Sequence, residues 1–272
     1  MGIRSIVRDA LAYFTLLDGI FRRFVWSRVH FAEDEMRFLN QIDNDIVDVA
    51  VDVGAALGAY SWIMNRKSRK VYAFEPGSLH NKYLNRVTFC TNIEVINSAV
   101  GSTISRVKLH TPGSDTIARH SATVSTENPV IIENDVCVNE VDQVTLDSFL
   151  AKALGPKNTL DLLKIDVEGY EIEVLRGSTK SLSKYHPLII CEIEARHNAE
   201  YCRVFSLLKS LGYGCYISKR GIFEAFTNER IEYIQNKQDL TERLSGKYVT
   251  GSHNYINNFV FQHPESKIKV SK

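Results

Sequence analysis

Near the start of the chain, apolar side chains recur at gaps of three and four: Ile3, Ile6, Val7, Ala10, Leu11, Phe14, Leu17, Ile20, Phe21, Phe24 and Val25. That spacing predicts one face of a helix over residues 3–25. Arg4, Arg8, Asp18, Arg22 and Arg23 fall largely elsewhere. Two readings follow. The helix packs on the main domain or on a second copy of the chain in a homodimer, or it makes peripheral contact with a membrane as a basic amphipathic helix. The packed reading is the more ordinary, because such periodicity is common in packed helices.

From about Ile46 the pattern changes to short β-branched runs alternating with helix-like stretches. Strands are predicted at Val47–Val53, Lys70–Phe74, Ile93–Ile96, Leu160–Ile165 and Leu188–Ile193. Helices are predicted between them at Tyr60–Arg66, Leu79–Cys90 and Glu171–Lys184. Alternating strand and helix implies right-handed crossovers and a mostly parallel sheet. The continuous apolar run Leu188-Ile189-Ile190-Cys191 suits a strand covered on both faces. Residues 101–144, rich in Ser, Thr, Asn and Gly, interrupt the alternation, with a short strand at Arg106–His110 and a long loop over Thr111–Asn128. Such a loop is a lid or binding loop, or an insertion without a role. Late runs at Gly212–Ile217, Gly221–Phe226 and Asn258–Phe261 read as antiparallel strands closing the sheet edge. The polar tail from Pro264 reads as frayed. The division is a helical extension over 1–45, an α/β domain over 46–263 and a tail over 264–272.

With 272 residues, 44% of them hydrophobic, the chain holds one large core and not two comfortable domains. A formal net charge of +1 gives no long-range pull toward nucleic acid. The five cysteines show no C-x-x-C pair and no zinc spacing, which suits free thiols in a reducing cytosol. No apolar run approaches the roughly 18 residues of a membrane span. Arg4 and Arg8 ahead of Ala10–Leu17 resemble a signal peptide, but Asp18, Arg22 and Arg23 follow and no small-residue cleavage site appears. The expected location is cytoplasmic, with the membrane surface as the amphipathic-helix variant.

Four stretches carry chemistry. Val51-Asp52-Val53-Gly54-Ala55-Ala56-Leu57-Gly58-Ala59-Tyr60 is a strand running through small residues into a helix, where ligands of open α/β sheets bind. Its G-x-x-x-G spacing is neither the dinucleotide fingerprint nor a phosphate loop. A ligand without a phosphate but with an amino-acid end, such as S-adenosylmethionine (SAM), suits it. Tyr72-Ala73-Phe74-Glu75-Pro76 places Glu75 21 positions after Gly54. A carboxylate there can accept both hydroxyls of a ribose. Leu162 through Tyr170 sets Lys164, Asp166 and Glu168 at the end of an apolar strand, on one side while the strand persists. A buried charge needs a partner, so Lys164 pairs with Asp166 or Glu168. Cys191 through Asn198 offers Glu192, Glu194 and His197 to the same crevice, and His197 has the side chain suited to proton transfer near neutral pH.

In order and spacing, Val51–Tyr60, Phe74-Glu75-Pro76, Val144-Thr145-Leu146-Asp147 and Leu163-Lys164-Ile165-Asp166-Val167-Glu168-Gly169 resemble the FkbM-type SAM-dependent methyltransferases. Glu171–Gly177, Pro187–Glu192 and Leu211-Gly212-Tyr213 continue the likeness over roughly residues 46–262. The resemblance implies a Rossmann-like class I methyltransferase fold, SAM as cofactor, and usually O-methylation of sugars, polysaccharide precursors or small natural products. It also implies that Asp52, Gly54 and Glu75 contact SAM and that Asp166 lies near its methionine part. The full set of candidate cofactor contacts is Asp52, Gly54, Gly58, Tyr60, Glu75, Ser98 and Asp166. One departure is Ala56, where the family more often has Asn.

The expected reaction is in-line displacement at the sulfonium methyl by a small-molecule or saccharide hydroxyl, with Asp166, Glu168 and His197, in that order, as candidate bases and Lys164 beside them. No metal is required by the spacing, although Asp166, Glu168 and Glu192 offer hard oxygen ligands. An oxidoreductase is disfavoured by the missing third glycine. A non-catalytic scaffold of the same fold and an N-methyltransferase stay open.

Overall fold

The computed structural model describes residues 33–43, 46–112, 122–126, 136–197, 199–219, 221–227, 231–235 and 255–270. The helix expected over 3–25 and most of the Thr111–Asn128 loop lie outside them. Chain order begins α1 (Asp34–Gln41), β1 (Val47–Val53), α2 (Ala59–Asn65), β2 (Ser68–Phe74), α3 (Ser78–Val87), β3 (Ile93–Ile96), β4 (Ala99–Val100), β5 (Ser105–Pro112) and β6 (Val136–Val144). It continues with α4 (Leu146–Ala153), β7 (Leu160–Ile165), α5 (Glu171–Arg176), α6 (Thr179–Tyr185), β8 (Leu188–Glu192), α7 (Cys202–Ser210), β9 (Gly214–Lys219), β10 (Ile222–Ala225) and β11 (Asn258–Gln262).

The apolar runs form an eight-stranded sheet in the order β10-β9-β11-β8-β7-β1-β2-β3. β3, β2, β1, β7 and β8 run parallel, while β11 is antiparallel to both β8 and β9. This is the Rossmann-like arrangement with antiparallel late strands. β11 lies inside the sheet, between β8 and β9, and does not close its edge. The order reverses between β1 and β7, the kind of switch point at which open α/β sheets bind ligands.

Side-chain alternation sorts the core into two layers. Val49, Val51, Val53, Leu163 and Ile165 face the cluster holding Leu146 and Leu150 of α4, Ile172 of α5 and Phe205 of α7. Ala50, Ala73 and Leu162 face the cluster holding Leu39 of α1, Ile63 and Met64 of α2 and Leu84 of α3. Helices therefore cover both faces, which is why the strands read as unbroken apolar runs.

Three expectations are corrected. The predicted helix Glu171–Lys184 is two helices, broken at Gly177–Ser178. A Cβ on Gly177 would lie 2.0 Å from the Gly101 carbonyl oxygen, so backbone meets backbone there. The insertion also carries a second strand, β6, which joins β4 and β5 in a separate three-stranded sheet. Its outward side chains, Asn139, Glu140 and Asp142 among them, are mostly exposed and hid the strand from a hydrophobicity pattern. The tail beyond Pro264 is docked and not frayed: Ile268 is 3% exposed within the α1–α2–α3 core layer, and the Val270 amide donates to Gln262 Oε1 at 2.7 Å. Among the described residues no helix is long and apolar enough to cross a membrane.

Two predictions follow from this packing. Ile268→Ala is expected to cost about 2–5 kcal/mol in urea unfolding, the usual cost of emptying such a site; a tail frayed beyond Pro264 would leave the midpoint unmoved. Burial of Glu35 on α1 raises its carboxyl from the usual 4.5 to about 7, with the nearby Glu33 adding to the rise and Lys164 opposing it. Between those two values the folded chain holds the extra proton, so this group's contribution to stability falls as pH rises from about 4.5 to about 7. Glu35→Gln is expected to gain thermal stability over the parent across that window, most at pH 8 and little at pH 4.5; a difference independent of pH would contradict the assignment.

Candidate active site

The carboxyl ends of β1, β2 and β7 enclose an open-mouthed cavity, the kind of concave cleft in which small molecules bind. Gly54 forms its floor at the switch point. Its φ is +82°, and a Cβ there would lie 1.7 Å from the Asp166 carbonyl oxygen, so the turn after β1 and the turn after β7 touch through backbone alone. The Asp166 amide donates to the Val53 carbonyl at 2.9 Å, and the Gly54 and Ala55 amides both donate to the Phe74 carbonyl at 3.0 Å. Ala56 takes a left-handed φ of +46°, which Asn tolerates better than Ala.

Glu75 lies at the tip of β2, 5% exposed. Its Oε2 accepts the Ala56 amide at 2.9 Å and its Oε1 accepts the Gly77 amide at 2.7 Å. An ionised carboxylate offers about four acceptor positions. One per oxygen is taken by backbone, and one per oxygen is left for a vicinal diol. This is a fit to the ribose of an adenosyl cofactor found in the structure itself. Ser98, which follows β3, also lines the cavity, as do Gly54, Glu75 and Asp166.

The other expected cofactor contacts lie elsewhere. Alternation turns Asp52 away from the cavity toward α2, where Oδ2 accepts the Ser61 hydroxyl at 2.5 Å. Burial raises its carboxyl to about 6 against the opposing pull of Ser61 and Lys164. Gly58 serves helix packing: a Cβ there would lie 2.5 Å from Leu84 of α3. Tyr60 belongs to the same layer and donates its hydroxyl to Glu33 Oε2 at 2.7 Å.

Lys164 also faces α2 and is 1% exposed. Its Nζ donates to Asn258 Oδ1 at 3.0 Å, stands 3.8 Å from Asp166 Oδ2 and lies 4.7 Å above the Tyr60 ring. Burial works against its charge, but Asp166, Glu192 and Glu33 outweigh burial and raise its pKa, so it stays an ammonium. It is a counter-ion beneath the site, not a group on the cavity wall. Burial raises Asp166, with Lys164 opposing. Burial and the charge of Asp166 raise Glu192 well above the carboxylate range, and Glu192 hydrogen-bonds to Asp166.

Glu168 parts company with Lys164 and Asp166. β7 ends at Ile165, and Glu168 sits in the following turn with φ +52°, on the cavity wall. Its Oε2 pairs with Nδ1 of His197 at 2.8 Å. His197 is 3% exposed and lies behind the wall, not on it. Sequence reasoning missed the small sheet's share of the site: Leu109 of β5 and Thr123 and Val124 also line the cavity. Thr123 bridges to His110 through two backbone hydrogen bonds of 2.8 and 3.0 Å, and its hydroxyl donates to the Val167 carbonyl at 3.2 Å. It also missed Asn257 and Asn258 of the β11 region and Glu33, whose amide and carboxylate groups answer the buried charges. Among the described residues, the three-residue group whose ligand atoms lie within 4.8 Å of one another is His186, His263 and Glu265, at the far end of the sheet, and not Asp166, Glu168 and Glu192.

Residues 52–215 match the Methyltransferase FkbM domain. Over 148 residues the chain is 30% identical to the hexuronic acid methyltransferase AglP of Haloferax volcanii, a span covering 54% of this chain and 56% of that protein. The chain thus spans about half the length of that relative. The crystal structure of methyltransferase FkbM from Methylobacillus flagellatus KT aligns with a TM-score of 0.46 at 15% identity, covering 87% of this chain and 47% of that one. The O-methyltransferase from Bacillus cereus, solved with SAH, aligns with a TM-score of 0.45 at 11% identity, covering 91% of this chain and 89% of that one. The matched residues 52–215 make up more than half of the chain and carry Gly54, Glu75, Asp166 and Glu168, the residues that wall its cavity, and on that match the chain belongs to the FkbM methyltransferase family, which uses S-adenosylmethionine.

Proposed function

We propose that the protein transfers the methyl group of SAM to a hydroxyl of a saccharide or similar small molecule. The observation that carries this reading is Glu75, a buried carboxylate fixed by two backbone amides on the cavity wall with one acceptor position per oxygen left for a ribose. Gly54 and the Ala56 turn bring bare backbone to the same wall, which suits the cofactor's amino-acid end. When bound, SAM supplies an electrophilic methyl on a sulfonium. Asp166, anchored by Lys164 and Glu192, fixes the β7 side of the cavity, and the small sheet narrows it beside Val167. Holding the acceptor oxygen in line is the main source of rate, and positioning of this kind reaches about 10⁵–10⁸ M in effective concentration.

Charge supports a hydroxyl acceptor. Among the described residues the acids on the wall are Glu75, Asp166 and Glu168, and no Lys or Arg joins them. A carboxylate acceptor would enter against like charge, whereas a sugar hydroxyl enters without that cost. The hexuronic acid methyltransferase of Haloferax volcanii makes saccharides the first acceptor class to test. Five free cysteines suit a reducing, cytosolic setting.

Calorimetric titration with SAM and with S-adenosylhomocysteine tests the cofactor site. Micromolar binding is expected, weakened about 10²-fold or more in Glu75→Ala and less in Glu75→Gln, because two charge-assisted hydrogen bonds of about 1.5–3 kcal/mol each are at stake. A folded protein that binds neither ligand would favour a scaffold role. With binding in hand, methyl α-D-glucopyranoside is expected to gain an ether methyl, and the carboxylate of methyl glucuronide to gain no ester.

A further inference from the structure

We propose that His186, His263 and Glu265 form a binding site for one divalent ion of the zinc class, which latches the stretch after β11 to the rest of the domain. α6 ends one residue before His186, and β11 ends one residue before His263. Because β11 runs antiparallel to β8, its last residues stand beside the start of β8. That is the end of the sheet opposite the cavity, which lies at the carboxyl ends of the parallel strands. The ion thus takes no part in methyl transfer, and its site stands whether or not the cavity binds SAM.

Two imidazoles and a carboxylate are a donor set that zinc takes, with the fourth position left for water. One ligand atom from each of the three residues lies within 4.8 Å of the other two. Nδ1 of His186 stands 3.1 Å from Glu265 Oε2. Two ligands of one tetrahedral zinc stand roughly 3.4 Å apart, given bonds of about 2.1 Å. The two imidazole rings stack with centroids 4.0 Å apart and planes 10° from parallel. The Glu265 amide lies 3.1 Å from His263 Nδ1, so that edge of the second ring also faces Glu265. Its Nε2 edge faces Gly212, where a Cβ would lie 2.8 Å away, and the Tyr213 ring packs edge-on at 5.4 Å. His263 is therefore held by its neighbours. The His186 and Glu265 side chains, 21% and 71% exposed, have room to close on an ion. Parallel rings aim their lone pairs the same way, so closure tilts His186 off the stack and puts the ion in place of the Glu265 amide at His263 Nδ1.

Imidazole selects zinc and its neighbours over magnesium and calcium, which take oxygen shells. Lys269 stands close by, but its Nζ donates to the His263 and Pro264 carbonyls. The position of the site gives the ion its role. His263 and Glu265 open the stretch that carries Ile268 into the core and the Val270 amide to Gln262. Within it the Ser266 hydroxyl accepts the His263 amide at 3.0 Å and donates to the Pro187 carbonyl, next to His186, at 3.5 Å. An ion shared by His186, His263 and Glu265 spans the same junction with coordinate bonds. A ligand that binds the folded chain and not the unfolded one stabilises the fold.

The test is titration of the chelator-stripped full chain with zinc chloride, followed by calorimetry and thermal unfolding. One zinc per chain is expected to bind, with a Kd of about 1 μM or below, and to raise the unfolding midpoint. Glu265→Gln, at an exposed side chain, is expected to weaken binding by about 10–100-fold or more, since even changes around the ligands of a site cost that much. His186→Asn is expected to do the same and to keep the fold, because His186 has a left-handed φ of +49° that Asn tolerates. In both variants the rise in midpoint is lost at zinc concentrations that saturate the parent. Cobalt in place of zinc is expected to show the visible bands of a nitrogen and oxygen shell, without a thiolate band in the near ultraviolet. A parent that binds no zinc, or only at about millimolar concentration, overturns the site. So does binding kept in both variants, or a thiolate band, either of which puts the ion elsewhere, as on the exposed Cys90, Cys137 or Cys202. Zinc that binds through these residues without raising the midpoint overturns the latch.

Discussion

A buried ammonium inside a sheet is tolerable only while its charge is answered. Lys164 is 1% exposed, and the answer comes from separate stretches of chain: Asp166 past β7, Glu192 at the end of β8, Asn258 on β11, and Glu33 ahead of α1, which reaches it through Asn258 and Tyr60. Charge and topology are thereby tied. Asn258 stands opposite Glu192 only because β11 inserts antiparallel beside β8. Asp52 stands beside Lys164 only because β1 and β7 meet at the switch point. Removing one partner would leave an uncompensated charge in the middle of the domain, which is far costlier than any gain the network gives.

That constraint sets the floor of the cavity. Lys164 holds the Asp166 side chain from below, while the Asp166 peptide rests on Gly54 with no room for a Cβ. The turns after β1 and β7, which both line the cavity, are therefore fixed to each other through backbone. Glu75 repeats the logic on the next strand, since its carboxylate gathers the Ala56 and Gly77 amides before any ligand arrives. Sites built this way need little rearrangement on binding, and preorganised polar groups act most strongly where water is excluded.

Much of this was legible in the sequence because buried parallel strands write themselves as apolar runs. Val47–Val53, Ile93–Ile96 and Leu160–Ile165 coincide with β1, β3 and β7, and Glu75 and Asp166 lie at strand ends as their positions implied. What was not legible depended on facing. Asp52 and Lys164 look like site residues in a linear reading, but alternation turns both to α2. β6 escaped because its exposed polar residues carry no period, and Thr123 because a loop residue gives no sign of the strand it will bridge. The tail beyond Pro264 reads as frayed because Ile268 and Val270 are scattered among lysines, yet Ile268 in the core layer and the Val270 amide on Gln262 dock it. Asn257, Asn258 and Glu33 became visible only as partners, since nothing in their spacing announces a charge hidden elsewhere.

Among the described residues four non-glycine positions have positive φ, and two of them, Ala56 and Glu168, line the same cavity. They occupy equivalent places, in the turns after β1 and after β7. A carboxylate takes part in each turn's anchoring: Ala56 gives its amide to Glu75, while the Glu168 carboxylate itself pairs with His197. Strain at such sites persists only when the surroundings over-determine it. The Ala56 turn has the simpler requirement, an amide aimed at Glu75, which Ala supplies at some cost in backbone energy. The Glu168 turn carries a carboxylate paired with buried His197, and Asn or Gly, which would relieve the strain, would lose that pair. The two turns therefore differ in what each can tolerate. Backbone geometry alone fixes the first turn, whereas a paired side chain secures the second.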